Sequence, residues 1–346
     1  MKKGNPFTLT FGKVPQNYID RVESKNEIID SFTDDPAFCQ TYLIMGVRGS
    51  GKTVLMTEVA RELENEYKWI TIDLNPANDL LEEMYSNLSF AFSNTDKVTD
   101  RGVNVSLAGF GAGIGEKKAQ EDPVSGIKTL LEKAKKKNKK ILITIDEVEN
   151  NENMKRFASQ FQIFIRRDYP IFLIMTGLYE NIYQIQNNPA LTFLLRSPKI
   201  EMGPLVHSRI VRKYQELLGV DDKVAGKLAS LTGGYAFAFQ ALGSIYWENK
   251  DDPDEKEICA EYDSLLEEFV YRKIWDGLSD NDRKIVLAIN DSETKVGNVC
   301  EACGITTEVF SKYRERLIIK QIIEAPKHGY VKLKLPRFNI ICKNFI

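Results

Sequence analysis

Eight consecutive residues carry the most specific chemistry in the chain: Gly46-Val47-Arg48-Gly49-Ser50-Gly51-Lys52-Thr53. They fit the spacing G-x-x-x-x-G-K-[ST]. Glycines at these places let the backbone curl so that successive N–H groups face phosphate oxygens. Lys52 is placed to reach the β- and γ-phosphates of a nucleoside triphosphate, and the Thr53 hydroxyl to ligate Mg²⁺. A helix opening at Thr53 and Val54 would bring its positive N-terminus to the same anion. A second constellation follows at Ile141-Leu142-Ile143-Thr144-Ile145-Asp146-Glu147, an apolar run ending in two carboxylates. Asp146 is expected to hold the Mg²⁺ shell, and Glu147 to polarise the attacking water as general base.

Two further residues could complete this chemistry. Thr176 ends the apolar run Pro170–Thr176. In a sheet where the Asp-Glu strand lies between the first strand and this one, the Thr176 hydroxyl could orient the water. Arg196, in Leu194-Leu195-Arg196-Ser197-Pro198, could reach a γ-phosphate held by a neighbouring copy of the chain. Either residue is equally readable as an ordinary surface group.

The elements that must position these residues follow from periodicity. Apolar runs at Thr41–Met45, Lys68–Leu74, Lys140–Ile145, Pro170–Thr176 and Lys199–Met202 alternate with helical patterns at Thr53–Glu66, Asn78–Phe92 and Met154–Arg167. Near-continuous apolar strands alternating with helices predict an α/β core with a parallel sheet covered on both faces. A helix is expected near Glu23–Phe32. Val103–Glu116 carries four glycines and reads as a β-hairpin insertion or a mobile loop. After Pro204 the strands stop. Val206–Leu218, Asp222–Leu231, Tyr235–Trp247 and Ile258–Trp275 read as helices. The last segment reads helix (Ser279–Asn290), short helix (Val296–Cys303), turn, helix (Thr306–Lys320) and hairpin (Gln321–Ala325 with Gly329–Leu335), the outline of a winged helix-turn-helix. The expected organisation is a lead-in at 1–40, the core at 41–205, a helical lid at 206–257 and the winged helix at 258–346.

With 346 residues, 43% apolar and 28% charged, the chain can bury full-sized cores. A net charge of −2 leaves any nucleic-acid contact to a local patch. Residues 300–346 hold nine Lys or Arg against four Glu and no Asp. Lys312, Arg316 and Lys320 fall on one face of the third helix of this module, with Lys332 and Lys334 on the hairpin beside it. A basic helix and basic hairpin can grip duplex phosphates, or be the solvated face of a protein-binding module. Five sparse cysteines argue for a reducing compartment. Met1-Lys2-Lys3-Gly4-Asn5 leads into no apolar signal core, and no apolar run approaches the ~18–20 residues of a membrane helix, so a cytoplasmic protein without a membrane is expected. Cys300 and Cys303 stand as a lone pair without a second zinc half-site and read as core, and Lys133–Lys140 reads as a solvated helix end.

These motifs resemble those of the AAA-type P-loop ATPases, in particular the replication-initiator ATPases of the origin-recognition kind and the archaeal-type ATPases with a C-terminal winged helix. GVRGSGKT (46–53), ILITIDEVE (141–149), FLIMTG (172–177), LLRSPKIEMGPL (194–205) and LTGGYAFAFQALG (231–243) carry the resemblance. It implies a three-layer P-loop NTPase core with five strands in the order 5-1-4-3-2, a lid over the nucleotide, ATP and Mg²⁺ as ligands, and an arginine finger at Arg196 in a homo-oligomer. It also implies that Arg21, in Tyr18–Glu23, lies near the adenine. Members of the family often carry a γ-phosphate-contacting arginine in the segment matching Gly233–Phe237, and this chain has none. That departure favours a slow switch over a processive motor. The implied function is an ATPase switch acting on duplex DNA. A signalling or scaffold ATPase whose winged helix binds protein stays open beside it, and a small-molecule kinase fits the adjacent Asp146-Glu147 less well.

Overall fold

Thr41–Met45 (β1), Ile141–Ile145 (β4) and Ile171–Gly177 (β5) are buried at every position, and Ile70–Leu74 (β2) at all but Asp73. Strands this apolar on both faces belong in the middle of a covered parallel sheet. The computed structural model places them there; it describes residues 4–9, 14–95, 103–105, 122–250, 254–290 and 292–345. The six strands run β3-β2-β4-β5-β1-β6, with Val103–Val105 as β3 and Lys199–Glu201 as β6, and every pair is parallel. The five anticipated strands stand in the anticipated order.

Two expectations are corrected. Val103–Val105 is no hairpin; it pairs parallel with Ile70–Ile72 and adds an edge strand, as valines at alternate positions allow. The rest of the glycine-rich segment, 106–116, lies outside the described residues. The strand ending at Thr176 lies between β4 and β1, so the Asp-Glu strand is not the one in the middle.

The chain divides into two units. One comprises Arg21–Met45 and Lys52–Glu201. Its helices Leu80–Thr95, Pro123–Lys136 and Glu152–Arg166 supply Met84, Leu131, Phe157, Phe161 and others to one core with the sheet. A separate aromatic cluster ties in the helix Val22–Thr33: Phe32 lies 5.1 Å from Phe172, which lies 4.6 Å from Trp69. The Lys140 ammonium sits over both of the latter rings, so this end of the lysine run is tucked in rather than solvated.

The other unit comprises Met1–Asp20, Gly46–Gly51 and Met202–Ile346. Helices His207–Leu218, Asp222–Thr232 and Ala236–Glu248 share one apolar cluster with the C-terminal module. The helix expected over Ile258–Trp275 is broken into Glu255–Leu266, a π-turn at Glu267–Tyr271 and Arg272–Asp276. The module itself has helices Asp280–Ala288, Val296–Cys303 and Thr307–Ile319. Thr294–Lys295 (β7), Ile323–Glu324 (β8) and Tyr330–Leu333 (β9) form its antiparallel wing in the order β7-β9-β8. Ser279 caps the first helix in a reciprocal box with Asp282, Gly304 ends the second in the left-handed region, and Thr306 caps the third. Cys300 is buried here, with Cys303 packed at its edge. A closing helix, Phe338–Cys342, had no counterpart in the sequence reading.

Candidate nucleotide site

β1 ends at Met45 and the next helix starts at Lys52, so residues 46–51 form the turn between them. Gly49 (φ 70°) and Gly51 (φ 92°) adopt the left-handed backbone the curl requires, which a side chain would strain. The Ser50 hydroxyl is buried, and no described residue bonds it. Lys52 is only 6% exposed. A buried hydroxyl donor and a buried ammonium in a turn of this shape suit an anion at a helix N-terminus.

The parallel register brings the rest together. Thr53 Oγ1 donates to Asp146 Oδ2 at 2.8 Å. Pairing of Ile145 with Met175 sets Asp146 beside Thr176, whose hydroxyl donates to Asp146 Oδ1 and accepts from the Glu147 N–H at 3.2 Å. The Glu147 N–H also reaches Asp146 Oδ1, at 3.1 Å. Glu147 has φ 53°, an unusual backbone for a non-glycine residue, and its side chain is exposed. Thr176 is fully buried and its one O–H is directed to Asp146. The strand order thus sets the Thr176 hydroxyl on the Asp146 carboxylate and the Glu147 backbone. The hydroxyl of Thr53 and the carboxylate of Asp146, one hydrogen bond apart, form a hard-oxygen donor pair that fits Mg²⁺.

Sequence reasoning missed two neighbours. Asp73 on β2 accepts a hydrogen bond from Thr144 Oγ1. Although Asp73 keeps exposed surface, desolvation by the atoms around its carboxyl holds it above its usual range, the Thr144 bond opposes this, and the charge of Asp146 adds to it. An acidic residue within the apolar run Ile70–Leu74 was the available signal. The second is Tyr235, whose hydroxyl donates to the Arg48 carbonyl, while the Phe237 N–H donates to the Gly49 carbonyl at 3.0 Å. The segment Gly233–Phe237 thus reaches residues 46–51 through an aromatic hydroxyl and a backbone N–H.

Two further expected residues lie on other elements. Arg21 begins the helix Val22–Thr33, where burial lowers its pKa. It interacts with Tyr179, whose phenol is pushed up to about 12, chiefly by burial and then by Glu201. Arg196 is exposed at the end of a 3₁₀ segment, Pro189–Arg196.

In the C-terminal module Arg316 bonds Asp282 through Nε (3.2 Å) and a terminal nitrogen (2.6 Å), bonds the Ser279 hydroxyl and lies over the Tyr313 ring. Lys320 donates to the Gly277 carbonyl at 3.1 Å, and Lys334 to Gln321. Three of the five expected duplex contacts are therefore engaged within the fold. Lys312 is exposed and Lys332 half-buried.

A family model described as "Type III restriction enzyme, res subunit" matches residues 17–174, and one described as a domain of unknown function matches 268–340. No match is found among curated proteins. Among solved structures, a Walker-type ATPase of Pyrococcus abyssi is similar at TM-score 0.68 and 14% identity, over 95% of this chain and 96% of that one. The ORC2 protein of Aeropyrum pernix, solved as ADPNP-ADP complexes, is similar at TM-score 0.62 and 12% identity, over 97% and 96%. This chain has the P-loop NTPase fold of these structures. At these identities the likeness is one of fold. Within that ATPase fold the phosphate loop and the Asp-Glu strand of this chain occupy the strand ends at which open α/β sheets bind ligands. No helix among the described residues is long and apolar enough to cross a membrane.

Proposed function

We propose that the chain binds ATP with Mg²⁺ through Gly46–Thr53 and hydrolyses it slowly, as a switch acting on duplex DNA through its winged helix. The observation that carries the nucleotide reading is the Thr53–Asp146 hydrogen bond directly behind a complete phosphate loop. The loop N–H groups of Gly46, Val47, Arg48, Gly49 and Gly51 and the Ser50 hydroxyl cradle the phosphates, Lys52 bridges β and γ, and Val54 continues the helix turn that faces them. Thr53 and Asp146 hold Mg²⁺, which supplies positive charge to the phosphate oxygens. Glu147 takes a proton from water as the water oxygen bonds to the γ-phosphorus; the bond to the β–γ bridging oxygen breaks, leaving ADP and phosphate. Thr176 positions the Asp146 carboxylate and the Glu147 backbone. Arg21 lies toward the base, and Arg196 of a second copy completes the charge at the γ-phosphate. The working division is a core at 41–205, a lid at 206–257 and a winged helix at 258–346, in a cytoplasmic protein. The ORC2 protein of Aeropyrum pernix, with its ADPNP and ADP, supports a nucleotide on this fold.

For DNA, the support is the basic excess of 300–346, with Lys312 exposed on the helix Thr307–Ile319 and Lys332 half-buried on the hairpin. The engagement of Arg316, Lys320 and Lys334 inside the module favours the second reading, a protein-docking winged helix. The test is duplex binding titrated against salt, for the parent and for Lys312→Glu with Lys332→Glu. The parent is expected to bind with a salt slope that the double variant lowers by about 2. Duplex binding equal in both, or absent in both, would discard the DNA reading in favour of a protein partner. Variants of Arg316 are unsuitable because they break the helix cap.

A further inference from the structure

The helix Ala236–Glu248 begins at Tyr235, which offers no side-chain cap. The first N–H groups of any helix lack intrahelical acceptors. Here one of them, that of Phe237, finds its acceptor in the Gly49 carbonyl of the phosphate loop. Beside it, Tyr235, a buried residue, places its hydroxyl on the adjacent Arg48 carbonyl. A Cβ built on Gly49 would come within 2.5 Å of the Tyr235 oxygen and 2.9 Å of the Phe237 Cβ, so the contact leaves no room for another residue at 49. Tyr235 in turn stacks on Tyr271 (centroids 6.5 Å apart), and Tyr271 meets Phe338 edge-on at 4.9 Å and donates to the Pro336 carbonyl. Phe338 opens the closing helix of the C-terminal module.

The two loop carbonyls held in this way belong to the peptide planes whose N–H groups sit on Gly49 and Ser50. Fixing a carbonyl fixes its plane, and with it the direction of the N–H at the other end. We propose that Tyr235 is a positioning residue for the phosphate loop: its hydroxyl sets the Arg48–Gly49 peptide in the phosphate-binding orientation and links that orientation, through Tyr271 and Phe338, to the C-terminal module. This rests on the nucleotide reading above. It assigns the segment that lacks a γ-phosphate arginine a different task, holding the loop for any nucleotide rather than sensing the third phosphate.

The discriminating variant is Tyr235→Phe, which removes one oxygen and keeps the ring. Losing the donor to a buried carbonyl is expected to raise the Kd for ADP and for a non-hydrolysable ATP analogue alike, by about tenfold, with the KM for ATP rising in step and kcat held within about twofold. Tyr214→Phe is the control. It also removes a fully buried hydroxyl in the same unit, bonded at 2.8 Å to the Phe239 carbonyl and away from the loop, and is expected to lower the melting temperature without changing nucleotide affinity. Unchanged affinity in Tyr235→Phe would overturn the proposal, as would an equal loss in Tyr214→Phe or a loss confined to the ATP analogue. A parent chain that binds no nucleotide would overturn the underlying reading and this inference with it.

Discussion

Glu147→Gln is expected to lower ATP turnover by about 10²–10⁴-fold while leaving ATP and ADP affinity within about twofold. The residue sits at the end of β4 with φ 53°, and its N–H is shared between Asp146 Oδ1 and Thr176 Oγ1. Those bonds involve the backbone, so glutamine inherits the same conformation and reach. What it loses is the capacity to accept a proton. In the proposed function nucleotide affinity resides in the loop, Lys52 and the Thr53–Asp146 pair, none of which the substitution touches. Phosphate release and fluorescent-nucleotide titration on the same preparation separate the two quantities. A variant that turns over at the parental rate would remove Glu147 from the chemistry, and a joint loss of binding and turnover would make it structural.

The second large effect concerns folding. Asp282→Ala is expected to destabilise the chain by about 2–4 kcal/mol. One carboxylate, 1% exposed, accepts from the Ser279 N–H (3.1 Å), the Ser279 hydroxyl (2.7 Å) and two nitrogens of Arg316. Its removal takes away the reciprocal half of the box that caps the helix Asp280–Ala288 and strips Arg316 of its counter-ion. Because the Arg316 side chain keeps 45% of its exposure, water recovers part of the loss, and the figure stays below that of a fully buried pair. Urea unfolding of parent and variant reads it directly. A change under about 0.5 kcal/mol would mean that the capping box and the ion pair contribute nothing beyond ordinary surface contacts.

The nucleotide site was legible because its determinants are local. An eight-residue loop, the strand before it and the helix after it are contiguous, and an apolar run ending in Asp-Glu announces itself. The strand order came with the family resemblance. Thr176 shows the limit of that reading. Its place at a strand end was visible, but which strand it neighboured depended on register, and the hydroxyl faces Asp146. The internal partners of the winged helix's basic face were hidden for a similar reason. Helical spacing put Lys312, Arg316 and Lys320 together, yet Asp282, the partner that claims Arg316, lies 34 residues earlier. The contact of Tyr235 with Arg48 spans 187 residues and leaves no periodic trace. Val103–Val105 is too short, and too close to glycine-rich sequence, to stand out as a strand.

The proposed function is a loop that binds ATP for hydrolysis by Glu147, coupled to duplex DNA. Steady-state phosphate release with and without duplex, using Glu147→Gln as the blank, tests it most directly. The prediction is slow, Mg²⁺-dependent turnover above the blank that rises when duplex is added. A parental rate equal to the blank, with and without DNA, would contradict it.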